Sequence, residues 1–424
     1  MVTQRQSAKG FLDSSQTGEA IAEFFAKSDY TDKRILLIIP DNTRSGPVGS
    51  VFKIIYGCLN QKPKAIDCLV ALGTHQPMSE EQICRRLTIA PDERKNKYAS
   101  VKFFNHEWHK PETFTSIGTI SGGEIQQISD GLFREEVNVA INKLIFDYDE
   151  LFILGPVFPH EVVGFSGGHK YIFPGIAGPE IINFFHWLGA VITNPKINGN
   201  KWTPTRQVVE KAASFMKMPR KLFAIVAIEN KLKGIFVGEC LEAWERAADL
   251  SRQVHITYKD KPYKTVLGIA PAMYDDIWTA GKVMYKLEPI VADGGTLIIY
   301  APHISEISYT HGKVIDRIGY HTRDYFLKRM GEFDGIPHGV MAHSTHVKGI
   351  GTYTNGIEKP RINVILATKI SRQRCEKVNL GYMNPDGMKI SDYEKKEDQG
   401  ILVVYDAGEV LYRLSSGDLP AIPN

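Results

Sequence analysis

The sequence predicts an α/β protein made of two α/β domains with largely parallel sheets. The first observation is a series of short apolar runs bounded by turn residues, which is typical of strands covered on both faces. The second is that helical patterns separate these runs, and such alternation favours parallel sheets. The third is the length of 424 residues, which is enough for two or three domains.

The apolar runs give the predicted strands directly. In chain order these strands cover residues 34–40, 65–72, 150–155, 222–228, 265–269, 295–300, 362–367 and 401–405. Between the second and third strands, Ser79-Glu-Glu-Gln82 has the pattern of a capping box that opens a short helix. Residues 239–254 and 275–290 have the periodicity of amphipathic helices.

The domain boundary is predicted from a break in this alternation at residues 256–263. We expect an N-terminal α/β domain over residues 1–259 and a C-terminal α/β domain over residues 260–424. The sequence contains no internal repeat and no low-complexity segment that would suggest another architecture.

Composition excludes several classes of protein. The 51 basic and 48 acidic residues are intermixed and leave a net charge of +3, so no basic stripe suggests nucleic acid as a partner. The five cysteines are scattered without a CxxC pair, which disfavours a disulfide framework and indicates a reducing compartment. The first residues do not resemble a secretory signal, and no apolar run is long enough to span a membrane. We expect a cytoplasmic protein without a membrane partner.

Reactive side chains follow the first two predicted strands, where open α/β sheets collect their ligands. After the first strand comes Asp41-Asn-Thr-Arg44, in which the arginine suits a carboxylate or phosphate and the aspartate suits a ribose hydroxyl. The same residues also suit a simple turn with an N-cap. After the second strand comes His75, which can take or give a proton and whose place before a helix predicts a neutral ring. A histidine in a surface loop is the alternative.

The third predicted strand is followed by the most unusual segment of the chain, residues 159–178. Its glycines and Ser166, ahead of Lys170, resemble a loop whose backbone N–H groups face a phosphate, although the Walker A pattern is absent. Lys170 can serve as a point charge or as a nucleophile. Sixteen residues later, His186 lies among large apolar residues, where a histidine is more often part of the core than a metal ligand.

Together these segments resemble the nickel-dependent lactate racemase family, which includes related 2-hydroxy-acid racemases and epimerases. The matching segments are DNTR at 41–44, LGTHQPMSEEQI at 72–83, NHEWHKPE at 105–112, PHEVVGFSGGHKYIFPGIAG at 159–178, His186 and the helix around Lys282. The glycine-rich segment is specific, and its occurrence with the others in this order is not expected by chance.

The resemblance implies a cofactor bound to Lys170. This would be a nickel-pincer nucleotide, pyridinium-3-thioamide-5-thiocarboxylic acid mononucleotide, joined to Lys170 through a thioamide. His186 would bind the nickel beside the ring carbon and the two sulfurs of the cofactor, a donor set that suits this metal. The other implied roles are acid–base catalysis by His75 and His160, nucleotide contacts from Asp41, Ser166, Gly167 and Gly168, and contacts to the substrate anion from Arg44 and Lys282.

The reaction that the resemblance implies inverts the C2 carbon of a 2-hydroxy acid. Loss of a hydride from C2 with loss of the hydroxyl proton gives a flat 2-keto acid, whereas direct proton removal would leave a poorly stabilised anion. One histidine would take the hydroxyl proton, and the other would supply one after the keto acid has turned. Because the flat acid must not escape, we expect the active site in the cleft between the two domains. Separate maturation proteins that build the cofactor are the expected protein partners.

Departures from the family pattern concern the substrate. Trp278 and Thr279 stand where the lactate enzymes are expected to have tyrosine and glutamine, so we predict that these two residues contact the substrate. Malate, an aryl-lactate or a sugar acid therefore stays open beside lactate. Further along, His338, His343 and His346 either add polar contacts to a longer acid or are loop histidines without a catalytic role.

Two other functions stay open at this point. Lys170 could form a Schiff base with pyridoxal phosphate, with the phosphate on the glycine loop. The chain could instead store or deliver the pincer cofactor without catalysis. That second function would leave His75 and His160 without a role.

Overall fold

The computed structural model describes residues 2–59 and 62–420. Its strands are β1 (Thr3–Gln6), β2 (Arg34–Pro40), β3 (Ala65–Ala71), β4 (Phe103–Asn105), β5 (Phe114–Ile120), β6 (Val137–Asn142), β7 (Glu150–Pro156), β8 (Pro159–His160), β9 (Gly164–Phe165), β10 (Arg220–Ile228), β11 (Lys231–Glu239), β12 (Ile256–Lys259), β13 (Tyr263–Ile269), β14 (Val291–Ala301), β15 (Gly351–Thr354), β16 (Ile357–Pro360), β17 (Asn363–Thr368), β18 (Gly381–Tyr382), β19 (Ile401–Val404) and β20 (Leu411–Leu414). Every strand predicted from an apolar run is confirmed, with ends shifted by a few residues.

The α-helices also follow the chain in order. They are α1 (Ser14–Phe25), α2 (Val48–Leu59), α3 (Glu80–Arg86), α4 (Pro91–Lys95), α5 (Gly122–Ile128), α6 (Pro179–Ile192), α7 (Asn194–Ile197), α8 (Pro204–Ser214), α9 (Cys240–His255), α10 (Ile277–Ala280), α11 (Lys282–Leu287), α12 (Gly312–Ile318), α13 (Arg323–Leu327), α14 (His338–Lys348) and α15 (Arg372–Lys377). The capping box at Ser79 and Gln82 is confirmed at the start of α3. No helix within residues 2–59 or 62–420 has both the length and the apolar character that crossing a membrane requires.

The chain forms two compact units. Unit 1 consists of Met1–Phe158, Ser166–Ile182 and Arg206–Val254, and unit 2 consists of Pro159–Phe165, Asn183–Thr205 and His255–Asn424. Two short segments ahead of residue 206 thus belong to the same unit as the C-terminal half. The boundary between residues 259 and 260 stays a prediction, because compactness does not test whether a segment folds by itself.

Unit 1 contains a seven-stranded sheet in the order β1-β11-β10-β7-β2-β3-β4. The strands from β10 to β4 pair in parallel, whereas β11 pairs antiparallel with both β10 and β1. The inner strand β2 is buried from Ile35 to Pro40, and α1 and α2 pack on the sheet through side chains such as Phe24 and Phe52. The predicted parallel sheet is confirmed, and the antiparallel edge is an addition that the apolar runs did not predict.

Unit 2 contains a five-stranded sheet in the order β18-β17-β14-β13-β19, in which every pairing is parallel. The prediction of one continuous helix over residues 275–290 is wrong. Helix α10 ends before Gly281, and α11 begins after it. A Cβ at Gly281 would lie 2.7 Å from the Tyr285 hydroxyl and 2.9 Å from the Val347 side chain. Close packing against the bare backbone thus coincides with the break in the helix.

We expect Gly164→Ala to destabilise the protein. Gly164 has a φ of +79°, and a Cβ there would lie 1.7 Å from the carbonyl oxygen of Asn200. The Asn200 oxygen belongs to the backbone and cannot rotate away. Because the neighbouring Gly199 N–H also donates to the Gly164 carbonyl, the segments around Gly164 and Asn200 cannot separate freely. Urea denaturation should show a loss of about 2 kcal/mol or more in the free energy of unfolding.

Gly57→Ala is the matched control for this substitution. Gly57 is exposed in the last turn of α2 and has open space where a Cβ would lie, so alanine should raise the free energy of unfolding by about 0.5–1 kcal/mol. Equal stability of the two variants would contradict the close packing at Gly164.

Candidate active site

Three adjacent strands of unit 1 bring their carboxyl ends to the same edge of the sheet. Strand β2 pairs in parallel with β3 on one side and with β7 on the other. The loop after β2 carries Asp41 and the loop after β3 carries His75. The structure brings these two side chains into contact, because the Asp41 Oδ2 atom lies 2.5 Å from the His75 Nδ1 atom.

The Asp41 carboxylate organises its own loop as well as the histidine. Its Oδ1 atom accepts hydrogen bonds from the backbone N–H of Thr43 at 3.0 Å and from the Thr43 hydroxyl at 2.7 Å. Because a carboxylate only accepts, the proton between Asp41 and His75 belongs to Nδ1 of the ring. The Nε2 atom of neutral His75 therefore carries the lone pair, which is the form of a base. The contact of Asp41 with a nucleotide stays a prediction.

The orientation of His75 does not come from the helix that follows it. Helix α3 begins at Glu80 after the Ser79 cap, so His75 lies outside the first turn, where the influence of the helix dipole is confined. The effect of a helix N-terminus on this ring stays a prediction. Backbone bonds fix the turn instead, since the His75 N–H donates to the Leu72 carbonyl and the indole N–H of Trp108 donates to the His75 carbonyl at 2.9 Å.

The segment after β7 makes a tight turn that only glycine allows. Gly167 has a φ of +84° and Gly168 a φ of +62°. A Cβ would lie 2.6 Å from the Val157 side chain at the first position and 3.0 Å from the Trp244 side chain at the second. Ser166 ties the turn to the strand, because its hydroxyl donates to the Pro156 carbonyl and accepts from the Phe158 N–H. The three predicted nucleotide contacts of this turn stay predictions.

Lys170 is the partly exposed residue of an otherwise buried segment. All the other residues from Ser166 to Gly178 are buried, whereas Lys170, in a 3₁₀-helix from Gly168 to Tyr171, is of intermediate exposure. The charged end of Arg44, also of intermediate exposure, lies near the Tyr171 phenol. Burial raises the pKa of that phenol, and the Arg44 guanidinium opposes the rise. Unit 1 thus presents a cation on each of two loops.

His160 of unit 2 has the opposite hydrogen bonding to His75. It lies in a two-residue strand, β8, that pairs with β9, and only 4% of its surface is exposed. The backbone N–H of Val162 donates to the His160 Nδ1 atom at 3.1 Å. Because an N–H can only donate, Nδ1 must accept, and the neutral ring carries its proton on Nε2. A Glu161 carboxylate oxygen lies 3.4 Å from the same Nδ1 atom.

His186 of unit 2 lies on α6 and is partly exposed between buried neighbours. Its ring stacks on the ring of Phe185, with centroids 4.5 Å apart. Among the residues that the structure describes, no group of three or more His, Cys, Asp or Glu side chains lies close enough to hold a metal ion.

Thr279 and Lys282 are held by their neighbours in unit 2. The Asp276 carboxylate caps α10, accepting from the Thr279 N–H at 2.9 Å and from the Thr279 hydroxyl at 2.8 Å. The buried Thr279 side chain thus serves the helix cap, and its predicted contact with substrate stays a prediction. The Lys282 amine lies over the Tyr274 ring, 4.7 Å from its centroid, which fixes the side chain through a cation–π contact.

Trp278 is clamped between two histidines that are distant in sequence. Its ring is 4.4 Å from that of His311 and stacks on that of His343 at 4.0 Å with an angle of 12°. The His343 Nε2–H also donates to the Trp278 carbonyl at 3.0 Å. Burial lowers the pKa of His343 to about 3, so this ring is neutral. His343 lies in helix α14, not in a loop, and supports a predicted substrate contact.

The predicted site residues are divided between the two units. Unit 1 holds Asp41, Arg44, His75, Ser166, Gly167, Gly168 and Lys170, and unit 2 holds His160, His186, Trp278, Thr279 and Lys282. The sequence interpretation missed a buried group behind Lys170 that includes His169, Arg206 and Glu210. The one sequence signal for it was the spacing of Arg206 and Glu210, which places opposite charges one helical turn apart.

Comparisons with known proteins converge on one family. Residues 11–199 match a model described as the lactate racemase N-terminal domain. A lactate racemase of Thermoanaerobacterium thermosaccharolyticum is 26% identical over 277 residues, which is 63% of this chain and 60% of that protein. A lactate racemase of Lactiplantibacillus plantarum is 26% identical over 275 residues, which is 63% of this chain and 59% of the relative. The aligned region thus spans about 60% of the length of these relatives.

Solved structures extend the similarity to almost the whole chain. A crystal structure of a protein from Thermotoga maritima is 32% identical, has a TM-score of 0.89, and is matched over 97% of this chain and 100% of that one. The lactate racemase apoprotein of Thermoanaerobacterium thermosaccharolyticum has a TM-score of 0.71 at 19% identity, over 95% of this chain and 94% of that one. At this low identity, the second match supports the fold alone.

We expect the two histidines to be opposite tautomers when neutral. In protein labelled with ¹⁵N-histidine, long-range ¹H–¹⁵N correlation spectra should show the proton on Nδ1 of His75 and on Nε2 of His160, with assignments from His75→Gln and His160→Gln. Asp41→Asn should weaken the preference at His75, because an amide can donate to Nδ1 as well as accept from it. His160 is the internal control in that variant. The same tautomer at both positions would contradict the hydrogen bonding described above.

Proposed function

Because residues 11–199 match the lactate racemase N-terminal domain and two lactate racemases are 26% identical to this chain, we propose that it belongs to their family and is a racemase or epimerase that inverts the C2 carbon of a 2-hydroxy acid. The observation that carries this proposal is the pairing of Asp41 with His75 at the sheet edge where the strand leading to Lys170 also ends. That arrangement puts an oriented base and an accessible lysine on neighbouring loops of one unit. We propose that Lys170 holds a nickel-pincer nucleotide and that His186 binds its nickel.

The residues of the chain fit such a cofactor. The turn at Gly167 and Gly168 has no room for side chains of its own, and Lys170 is the accessible residue that follows it. His186 offers an imidazole on a helix, and no cluster of metal-binding side chains occurs elsewhere in the described chain. A nickel ion that takes its other donors from carbon and sulfur of the cofactor suits this arrangement. When bound, the cofactor would accept the C2 hydrogen as hydride and return it to either face.

In this proposal His75 removes the hydroxyl proton of the substrate. Its Nε2 atom has the lone pair, and the Asp41 carboxylate would stabilise the imidazolium that forms. Loss of the hydroxyl proton together with the C2 hydride leaves the 2-keto acid. The Asp41–His75 pair thus resembles the orienting pair of a catalytic triad, without a nucleophile beside it.

His160 would be the second acid–base residue. Its Nε2–H can donate a hydrogen bond to the carbonyl oxygen in the neutral state. To give up a proton, the ring must first be an imidazolium. Its Nδ1 atom is then protonated and can no longer accept a hydrogen bond from the Val162 N–H. The Glu161 carboxylate, 3.4 Å from Nδ1, is then the acceptor that this form requires. The two histidines would therefore share the acid–base work with different resting states.

The remaining predicted contacts are assigned to the substrate. The Arg44 guanidinium can bind the substrate carboxylate with two parallel hydrogen bonds, and the Lys282 amine adds a second cation. Trp278, held flat by His343, offers a rigid aromatic surface that suits a substrate larger than lactate. We propose malate, an aryl-lactate or a sugar acid as candidates beside lactate itself.

The proposal also includes a compartment and partners. The five cysteines all lie in the described chain and form no disulfide, which is consistent with a reducing cytoplasm. Maturation proteins that build the cofactor are proposed as partners. We propose no nucleic acid and no membrane as partners.

We expect Lys170→Ala to lose both the covalent adduct and the nickel. The chain should be co-produced with the maturation proteins and examined by intact mass and metal analysis. His186→Ala should keep the adduct on Lys170 but lose most of the nickel, because only a ligand is removed. Lys196→Ala, which removes an exposed lysine, is the control and should resemble the wild type. Unchanged nickel in Lys170→Ala, or an aldimine on Lys170 that borohydride reduces, would contradict the cofactor assignment.

We expect the loaded enzyme to invert a 2-hydroxy acid in heavy water without exchanging the C2 hydrogen. Lactate, malate, phenyllactate and sugar acids should be screened by chiral chromatography, with mass analysis of the inverted product. His75→Ala should reduce turnover by about 100- to 10,000-fold, whereas His109→Ala, at an exposed histidine of the same unit, should not. Deuterium at C2 of the product would refute hydride storage. Full activity of His75→Ala would refute the role of His75.

A further inference from the structure

A buried ionic network that the proposed mechanism does not use lies behind the glycine turn of unit 1. Arg206 is completely buried, and its Nη1 atom lies 3.3 Å from the Glu210 Oε1 atom. The other carboxylate oxygen of Glu210 lies 2.6 Å from the His169 Nδ1 atom. His169 directly precedes Lys170, so the network reaches the residue next to the proposed attachment site.

Such a network is an energetically unfavourable way to fill the interior of a protein. Burying a guanidinium and a carboxylate costs free energy that their mutual attraction rarely exceeds, and well-packed apolar side chains often stabilise as much. Burial acts to raise the pKa of the Glu210 carboxyl, but its bonds with His169 and Arg206 hold that pKa below the ordinary value. Glu210 is therefore charged, and stability alone does not account for the group.

The contacts of the network converge on the backbone of the turn. The Nη1 and Nη2 atoms of Arg206 both donate to the Gly167 carbonyl at 3.4 Å. The Arg206 guanidinium stacks on the Trp244 ring, 3.9 Å from its centroid, and the Trp244 indole N–H donates to the Ser166 carbonyl at 2.9 Å. Since the missing Cβ of Gly168 would touch Trp244, this one tryptophan contacts the turn at two positions.

The side chain of His169 is fixed at both ring nitrogens. Its Nδ1–H donates to Glu210, and its Nε2 atom accepts from the Arg220 Nε–H at 2.8 Å. Successive residues of a 3₁₀-helix point about 120° apart. Holding His169 inward therefore determines the direction in which Lys170 leaves the helix, and Lys170 is the partly exposed residue of the two.

We propose that Arg206, Glu210 and Trp244 are positioning residues that fix the turn from Ser166 to Lys170 and so set the direction of the Lys170 amine. This inference rests on the proposed function only in treating Lys170 as the attachment site. The three residues contact the turn and His169, and in this inference they act on Lys170 through those contacts. Their loss should loosen the turn locally and lower the amount of cofactor that Lys170 carries.

Arg206→Met tests the inference, because it keeps an unbranched apolar side chain and removes every hydrogen bond to Gly167 and Glu210. Amide hydrogen exchange, followed by mass spectrometry on the isolated chain, should be roughly tenfold or more faster in peptides covering residues 166–171. Peptides from β2 and β3 should keep the wild-type rates. Intact mass after co-production with the maturation proteins should show roughly tenfold less adduct on Lys170.

Milder and matched variants keep the test decisive if Arg206→Met folds poorly. Trp244→Phe keeps the ring under the turn but removes the donor to Ser166, and it should give a smaller change in the same peptides. Glu210→Gln keeps hydrogen-bonding atoms in place and should retain more adduct than Glu210→Ala. Arg246→Met breaks an exposed ion pair with Glu242, also one helical turn apart, and should change neither measurement.

The outcomes separate this inference from the proposed function. Wild-type exchange at residues 166–171 in both Arg206→Met and Trp244→Phe would overturn the positioning role. Faster exchange spread evenly over unit 1 would also overturn it, since that result indicates lost global stability. If the wild-type chain carries no adduct, the proposed function fails, while the exchange rates of the isolated chain still decide whether the network positions the turn.

Discussion

The parallel pairing of β2 with both β3 and β7 is the constraint on which the rest of the candidate site depends. It sends three loops to the same edge of one sheet, although the strands before them end as far apart in sequence as Pro40 and Pro156. Asp41 and His75 can touch only because these strands are neighbours in the same direction. An antiparallel pairing at either place would send one of the loops to the opposite edge.

The tautomer of each neutral histidine follows from its hydrogen bond at Nδ1. For His75 that partner is a carboxylate, which forces the ring to donate and leaves Nε2 as a base. For His160 the partner is the Val162 N–H, which forces the ring to accept and leaves the proton on Nε2. The two histidines thus acquire different neutral tautomers from their backbone and side-chain partners. The residue type alone does not distinguish them.

Rigidity at Lys170 is obtained from groups that would be unfavourable elsewhere. Left-handed glycines lose more freedom on folding than other residues, and the buried Arg206–Glu210 pair must give up its hydration. Both features fix the backbone next to a lysine that is itself partly exposed. A stable fold does not need this arrangement, whereas a site that must present one amine in one direction benefits from it.

The sequence by itself determined the strands that lie in apolar runs, the largely parallel sheets and the candidate residues, because apolar runs and strand-end residues are local signals that survive without coordinates. It did not determine the interruption at Gly281, the partner of His75 or the support of Trp278 by His343. Those depend on which distant segments pack together, and only the tertiary structure decides this. Hydrogen bonds and ring contacts act over a few ångströms in space, so spacing along the chain carries no record of them.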